Sequence, residues 1–400
     1  MRILHLSMLY PPHIIGGAEK SVALLAEAQS AAGHQVAASC TTPGAAVQET
    51  INGVSVYRMP HETDFWAEEW PQHSSLERGL RRIKMPFNSK LERRFSEVIE
   101  DFKPDVVHTH SMTDVSTRAW LAAREQGVPI VHTLRDYDLL CAHSSMFKDG
   151  QRCTKRHLKC QFFTHFKKDH HLCVSAVVGV GAEILQTHID HGYFAHVPAD
   201  LRRVIWNPAV VDGVPPDYQK PALNGPIVFG YLGRISVDKG VGKLFEACRK
   251  LPRDGWRLVL AGRPAQDDEP LMNAAGDLPV DFLGFISPKV FFEQIDVLVA
   301  PSIWAEPLPR TILESYAMGI PALGADSGGI PDLIGHNNTA WLYPATDAEA
   351  LAERMQSILA AGRTALPGRA TFQSVLDRTT PERVLQNYDE VYQRVVVQHG

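Results

Sequence analysis

Short apolar segments of strand character alternate with amphipathic helical patterns along this chain, and the alternation runs twice, before and after a break that starts at Asn207. In the first half, Ile3–Leu6, a helical pattern over Ala18–Ala32 and Val36–Cys40 form a βαβ unit, with Gly33 placed to stop the helix. Strands are predicted again at Val54–Arg58, Val106–His110, Ile130–Leu134 and Ala176–Val180, with helices over Lys90–Phe102 and Ser116–Glu125 between them. Such a succession predicts a parallel, doubly wound sheet.

The pattern breaks at Asn207-Pro208-Ala209-Val210-Val211-Asp212, and the Pro- and Gly-containing stretch Gly213–Pro226 has linker character. Strands then follow at Ile227–Leu232, Arg257–Ala261, Val280–Leu283, Val297–Ala300 and Ala322–Gly324. Helices are predicted at Val241–Leu251, Pro288–Gln294 and Pro309–Met318. A chain of 400 residues exceeds what one core usually supports. The expected fold is therefore α/β: two Rossmann-like doubly wound domains, 1–212 and 213–380, facing each other across a cleft. An amphipathic helix over 381–400 is expected to pack back across the opening.

Several classes of function are disfavoured. A net charge of −5 gives no overall reason to bind nucleic acid. The apolar start, Ile3-Leu4-His5-Leu6, is too short for a signal peptide, and the run from Val174 to Gly181 soon meets Glu183. Six cysteines in such a chain suggest free thiols in a reducing cytoplasm. A cytoplasmic protein, at most peripheral at the inner face of a membrane, is expected.

The strongest constellation runs from Pro301 to Pro321 and holds a Glu-x7-Glu pair, Glu306 and Glu314. Glu306 ends a strand-to-helix loop continued by Pro307, Leu308, Pro309 and Arg310, and Glu314 lies inside the helix. Free backbone N–H groups beside a carboxylate suit a polyol bearing a phosphate. Upstream, Gly233-Arg234-Ile235-Ser236-Val237-Asp238-Lys239-Gly240 sets two cations about a helix start, where they can replace a metal at a leaving phosphate. No Asp-x-Asp motif stands within these loops, so no cofactor is expected. Gly16-Gly17 opens the first helix and permits close approach of an anion.

These segments resemble glycosyltransferase family 4. Its E-P-x6-E-A-x-A-x-G-x-P pattern matches Glu306 to Pro321 apart from Ser315, the glycine pair that follows matches Gly328-Gly329, and the G-R-L-x-x-x-K-G loop matches Gly233–Gly240. The resemblance covers nearly the whole chain. It implies the GT-B architecture and transfer of a sugar, with retention, from a nucleoside-diphosphate sugar to a saccharide or lipid-linked acceptor in polysaccharide synthesis. It further implies that Arg234 and Lys239 hold the diphosphate, Glu314 the ribose, and Glu306 with the amides after it the donor sugar. Gly16-Gly17 would face the donor phosphate and acceptor. Where relatives read T-x-H-D, this chain reads Thr133-Leu134-Arg135-Asp136, so an arginine stands in place of a histidine near the transferred sugar. A guanidinium is no general base near neutral pH but can bind phosphate or hydroxyl. The alternatives are a nucleotide-sugar epimerase and a non-catalytic nucleotide-sugar-binding protein.

His108 and His110 are expected on alternate faces of their strand, with His110, nearer the carboxyl end, joining Arg135 and Asp136 at the acceptor or sugar site. His132 is expected in packing. The segment Cys141–Cys173 carries Cys141, Cys153, Cys160 and Cys173 without a Cys-x2–4-Cys knuckle, so free thiols are preferred over a structural zinc or disulfides. The same segment is rich in lysine and arginine with Phe162, Phe163 and Phe166 interleaved. A second basic stretch, Arg78 to Arg94, follows Phe65, Trp66 and Trp70. Both are either solvated faces or contacts with an anionic membrane or a lipid-pyrophosphate acceptor.

Overall fold

The computed structural model describes residues 1–215, 217–265 and 269–399. The chain forms two units. The first comprises Met1–Met146, Cys153–Asn207 and Pro381–Gly400, and the second Phe147–Arg152 and Pro208–Thr380. The division falls before Pro208 and not at the expected Gly213, because the Ala209 N–H is bonded to the Thr379 carbonyl (2.9 Å) and Val211 is buried.

The first unit holds an eight-stranded sheet. Its strands in chain order are β1 (Arg2–Leu6), β2 (Gln35–Thr42), β3 (Val47–Ile51), β4 (Val54–Pro60), β5 (Val106–His110), β6 (Ile130–Leu134), β7 (Ala176–Gly179) and β8 (Arg202–Val204). Their order across the sheet is β8-β7-β6-β5-β1-β2-β4-β3, parallel throughout except for β3 against β4. Strand order therefore reverses between β1 and β5. The second unit's sheet is all parallel. It runs β11-β10-β9-β12-β13-β14, where β9 is Ile227–Leu232, β10 Trp256–Ala261, β11 Val280–Phe282, β12 Val297–Ala300, β13 Ala322–Asp326 and β14 Leu342–Pro344. The reversal here lies between β9 and β12. Its core sets Phe229, Leu258, Leu260, Val297 and Val299 of the sheet against Leu244 and Phe245 of helix Val241–Cys248, with Leu351 and Met355 of helix Ala348–Ala361 in the same cluster.

The C-terminal helix Pro381–His399 belongs to the first unit and closes a buried polar chain there. Arg135 Nε donates to His110 Nδ1 (3.3 Å), which leaves the His110 proton on Nε2 for His5 Nδ1 (3.0 Å). His5 Nε2 then donates to Gln29 Oε1 (2.6 Å), and Gln29 Nε2 to the Tyr392 hydroxyl (3.0 Å). Tyr392 donates to His108 Nδ1 (2.7 Å), and His108 Nε2 to Thr133 Oγ1 (2.7 Å). The Thr133 hydroxyl ends the chain at Tyr388 (3.1 Å). Each group donates to the next, so all three rings are satisfied only as neutral tautomers.

Burial depresses these rings, with His5 lowered to about 4 and His108 and His110 well below the usual range. His132 and His188, also buried, are lowered to about 3 and about 4. The unfolded chain takes up protons near pH 6.5 that these rings refuse, so stability is fully present above that pH and is lost as pH falls toward 4. Asp136, raised to about 8 by burial and the Asp138 carboxylate, works in the opposite sense for one proton. Each histidine contributes roughly 1.4 kcal/mol per pH unit within the window. Urea unfolding of the first unit is therefore expected at markedly lower denaturant at pH 5 than at pH 7.5, with a net uptake of more than one proton. A flat profile over that range would show that the rings are not held neutral.

Candidate functional site

At the reversal in the second unit, the connections after β9 and β12 leave in opposite directions and their loops meet above the strand ends. Contact there is backbone to backbone. Gly240 has φ +74°, and a Cβ on it would lie 1.8 Å from the Pro301 carbonyl oxygen, so the position requires glycine. The Asp238 carbonyl accepts from the N–H groups of Ile303 (3.0 Å) and Trp304 (3.2 Å), tying the two loops. Gly233 ends β9 by donating to the Ala261 carbonyl (2.9 Å).

On this frame sit the expected charged residues. Lys239 Nζ donates to Glu306 Oε1 at 2.7 Å and lies over the Trp304 ring at 5.1 Å, while Ser302 Oγ donates to Glu306 Oε2 at 2.7 Å. Arg234 turns to Asp238 on its own loop (2.7 Å), which also accepts from Ser236 (2.5 Å). Behind Glu306 lies the glycine pair. Gly328, at φ +59°, would place a Cβ 2.2 Å from the Glu306 carbonyl oxygen, and Gly329 donates to that oxygen at 2.7 Å. Leu308 is buried, Pro309 leads into helix Arg310–Ala317, and Arg310 pairs with Glu314 at 3.0 Å in a largely buried setting.

The structure thus brings Lys239 and Glu306 into direct contact, with Ser302 and Trp304 as partners that local sequence did not reveal. Arg234 and Arg310 each hold a carboxylate of their own segment. Three cations, Arg234, Lys239 and Arg310, thus lie in the loops after β9 and β12, each paired with a carboxylate.

In the first unit, Gly16 and Gly17 are exposed at the start of helix Gly17–Ala31, where the Gly16 N–H is taken by the Glu19 carboxylate (3.0 Å). Arg135 donates to His110 and, through Nη1, to Asn207 Oδ1 (2.8 Å). Asp136 accepts from the Ser111 hydroxyl (2.6 Å) and the Asp138 N–H (2.8 Å). Burial also acts on Asp138, but the Lys167 ammonium at 3.1 Å holds its carboxyl below the usual value.

Several expectations are corrected. His108 and His110 do not alternate: residues two apart in a strand share a face, and their ring centroids lie 4.0 Å apart. Among the described residues, His5, His108 and His110 form a group whose ligand atoms could converge on a metal ion. Every ring nitrogen of the three already has a hydrogen-bond partner in the chain from Arg135 to Tyr388. Cys141 and Cys160 approach to 3.9 Å between sulfurs. Phe65 and Trp66 are buried, not presented to a membrane, and Arg81 is buried in an ion pair with Asp114.

Residues 16–208 match the glycosyl transferase 4-like domain, and residues 217–367 match the glycosyl transferases group 1. The chain is 29% identical over 336 residues to an uncharacterized 42.6 kDa protein in the cps region of Klebsiella pneumoniae, covering 83% of this chain and 87% of that protein. It is 33% identical over 146 residues to the amylovoran biosynthesis glycosyltransferase AmsK of Erwinia amylovora, 33% of this chain and 36% of that one. Its fold resembles sucrose-phosphate synthase from Thermosynechococcus elongatus, with TM-score 0.73, 18% identity and 99% of both chains covered. It resembles Anabaena HepE, solved in complex with UDP and glucose, with TM-score 0.70, 17% identity and 98% and 100% covered. With one family match on each unit and GT-B enzymes as fold neighbours, the chain belongs to the group 1, family 4-like glycosyltransferases.

Proposed function

We propose that this glycosyltransferase is a retaining enzyme that moves a sugar from a nucleoside-diphosphate sugar to a saccharide or lipid-linked acceptor during bacterial polysaccharide synthesis. The observation that carries the reading is the Lys239–Glu306 pair (2.7 Å) where the β9 and β12 loops meet. An incoming diphosphate takes the place of Glu306 and Asp238 as partner of Lys239 and Arg234, and Glu306 is released to the donor sugar's hydroxyls. Glu314 is assigned to the ribose, and Leu308, Pro309 and Arg310 to the edge of the same site. The HepE complex, with its UDP and glucose, supports a nucleotide-sugar donor, and the cps-region and amylovoran relatives support a polysaccharide product.

In the proposed reaction the bond from the anomeric carbon to the diphosphate oxygen breaks, and the acceptor hydroxyl oxygen bonds to that carbon on the same face. The hydroxyl proton passes to the leaving phosphate oxygen, and Arg234, Lys239 and the amino end of helix Val241–Cys248 take up the developing charge. No enzyme nucleophile is required; the task is positioning. Gly16 and Gly17 are assigned to the donor phosphate and acceptor, and His110, Arg135 and Asp136 to acceptor and sugar, with Arg135 as a fixed cation. A lipid-linked acceptor places the protein at the inner face of the membrane, and the basic insertion supports that location. No helix among the described residues is long and apolar enough to cross it.

Release of nucleoside diphosphate is expected to need acceptor and to continue in EDTA. Release without acceptor, or its loss with recovery specifically on magnesium, contradicts the reading. Glu306→Gln is expected to bind free nucleoside diphosphate at least as well as the parent, since Lys239 loses a competing carboxylate, while turnover falls about tenfold or more. Turnover within twofold of the parent would sink the assignment. Arg234→Ala and Lys239→Ala are each expected to weaken nucleoside diphosphate about tenfold or more, the worth of a charge-assisted hydrogen bond. Parental affinity in both, by titration calorimetry, would put the phosphate site elsewhere.

A further inference from the structure

Helix Ser75–Lys84 and the turn Met85–Phe87 after it are built inside out. Leu76, Leu80, Ile83 and Phe87 recur at the spacing of one helical face. That face is toward water: the four are 73%, 46%, 42% and 55% exposed. The cations point the other way. Arg81 is buried against Asp114 and the Phe65 ring, Arg78 donates to the Trp70 carbonyl (2.9 Å), and Arg82 stacks on the Trp70 ring at 4.6 Å.

The apolar face continues into the basic insertion. Phe87 meets Phe166 edge to face at 4.7 Å, and Phe162 and Leu158, on helix Leu158–Thr164, are 63% and 82% exposed. Exposed lysines occur along both segments, Lys84 and Lys90 in one and Lys155, Lys159 and Lys168 in the other. Nearby carboxylates are already matched, Asp64 by Lys84 (2.9 Å) and Glu62 by Arg94 (3.4 Å). With Arg78, Arg81 and Arg82 turned inward, Lys84, Lys90, Arg93 and Arg94 remain between Ser75 and Arg94 against the carboxylates Glu77 and Glu92, in a chain whose net charge is −5. A partner must therefore offer apolar depth beneath an anionic surface. A second copy, docked by the same face, would set lysine against lysine.

We propose that this face seats the first unit on an anionic bilayer, with Leu76, Leu80, Ile83 and Phe87 entering the boundary between headgroups and acyl chains, and the lysines meeting lipid phosphates. The inference rests on the membrane location proposed above and names the helix that makes the contact.

Flotation with vesicles of about 30% phosphatidylglycerol in phosphatidylcholine, at about 0.05 M and 0.5 M salt, tests it. The parent is expected to bind these vesicles about tenfold better than pure phosphatidylcholine, less so at high salt. The variant Leu80→Ser/Ile83→Ser/Phe87→Ser is expected to bind about tenfold less while melting no lower than the parent, since the replaced groups are exposed. If Lys155→Gln/Lys159→Gln/Lys168→Gln weakens binding and the serine variant does not, the membrane location stands and this helix is not the contact. If the parent ignores anionic vesicles at low salt, both fail. A parent dimer that the serine variant abolishes, without vesicle binding, assigns the face to a second copy and overturns the proposal.

Discussion

In a parallel sheet whose strand order reverses, the connections on either side of the reversal leave in opposite directions, and a gap opens above the strand ends. Both units have such a reversal, and the candidate site residues lie beside it. In the second unit the loops after β9 and β12 would spread apart; the close approach of Gly240 to Pro301 holds them together, and that of Gly328 to Glu306 ties the loop after β13 onto the β12 loop. A side chain at Gly240 would push apart the loops that carry Lys239 and Glu306. Lys239 and Glu306 are thus set against each other by backbone packing. Their charges are balanced before a ligand arrives, which limits the cost of holding them in a partly buried place.

The gap in the first unit lies between β1 and β5, and His5 and His110 face each other across it. Three clustered imidazoles could adopt several proton arrangements. Arg135 removes that freedom, because a guanidinium can only donate, and its bond to His110 sets the direction of every later bond out to Tyr388. A histidine at position 135 could accept as well as donate and would leave the polarity open. The arginine thus supplies a permanent positive charge at the site while the rings behind it stay neutral. The C-terminal helix takes part through Tyr392, so the last segment of the chain helps to hold a residue that follows β6.

Much of the fold was legible because a fully buried parallel strand reads as an apolar run: Val106–His110, Ile130–Leu134, Ile227–Leu232 and Val297–Ala300 stand where the sequence predicts them. Strand β3 was not legible, since its residues, Val-Gln-Glu-Thr-Ile, lie at an exposed antiparallel edge. Strand β14, three residues long, has too little pattern to detect. At the site, Arg234, Lys239, Glu306 and Glu314 were legible as a motif, but their pairing was not. Ser302, Asp238 and Trp304 carry no signal of their own; they matter because the β9 and β12 loops touch. The histidine chain was equally hidden, since Gln29, Thr133 and Tyr392 meet only in the folded sheet.

Helix Ser75–Lys84 shows why pattern alone misleads. Its apolar stripe predicts a face turned to the core, and burying four half-exposed large side chains more completely would gain a few kcal/mol, about 1 kcal/mol each. Rotating the helix to do so would strip Arg81 from Asp114, leaving a buried carboxylate without its partner, at about 3–5 kcal/mol. It would also lift Arg81 from Phe65 and Arg82 from Trp70, each contact worth about 0.5–2 kcal/mol. The polar anchors therefore match or outweigh the apolar gain. The buried ion pair fixes the rotation of the helix, and the exposed leucine stripe follows from it.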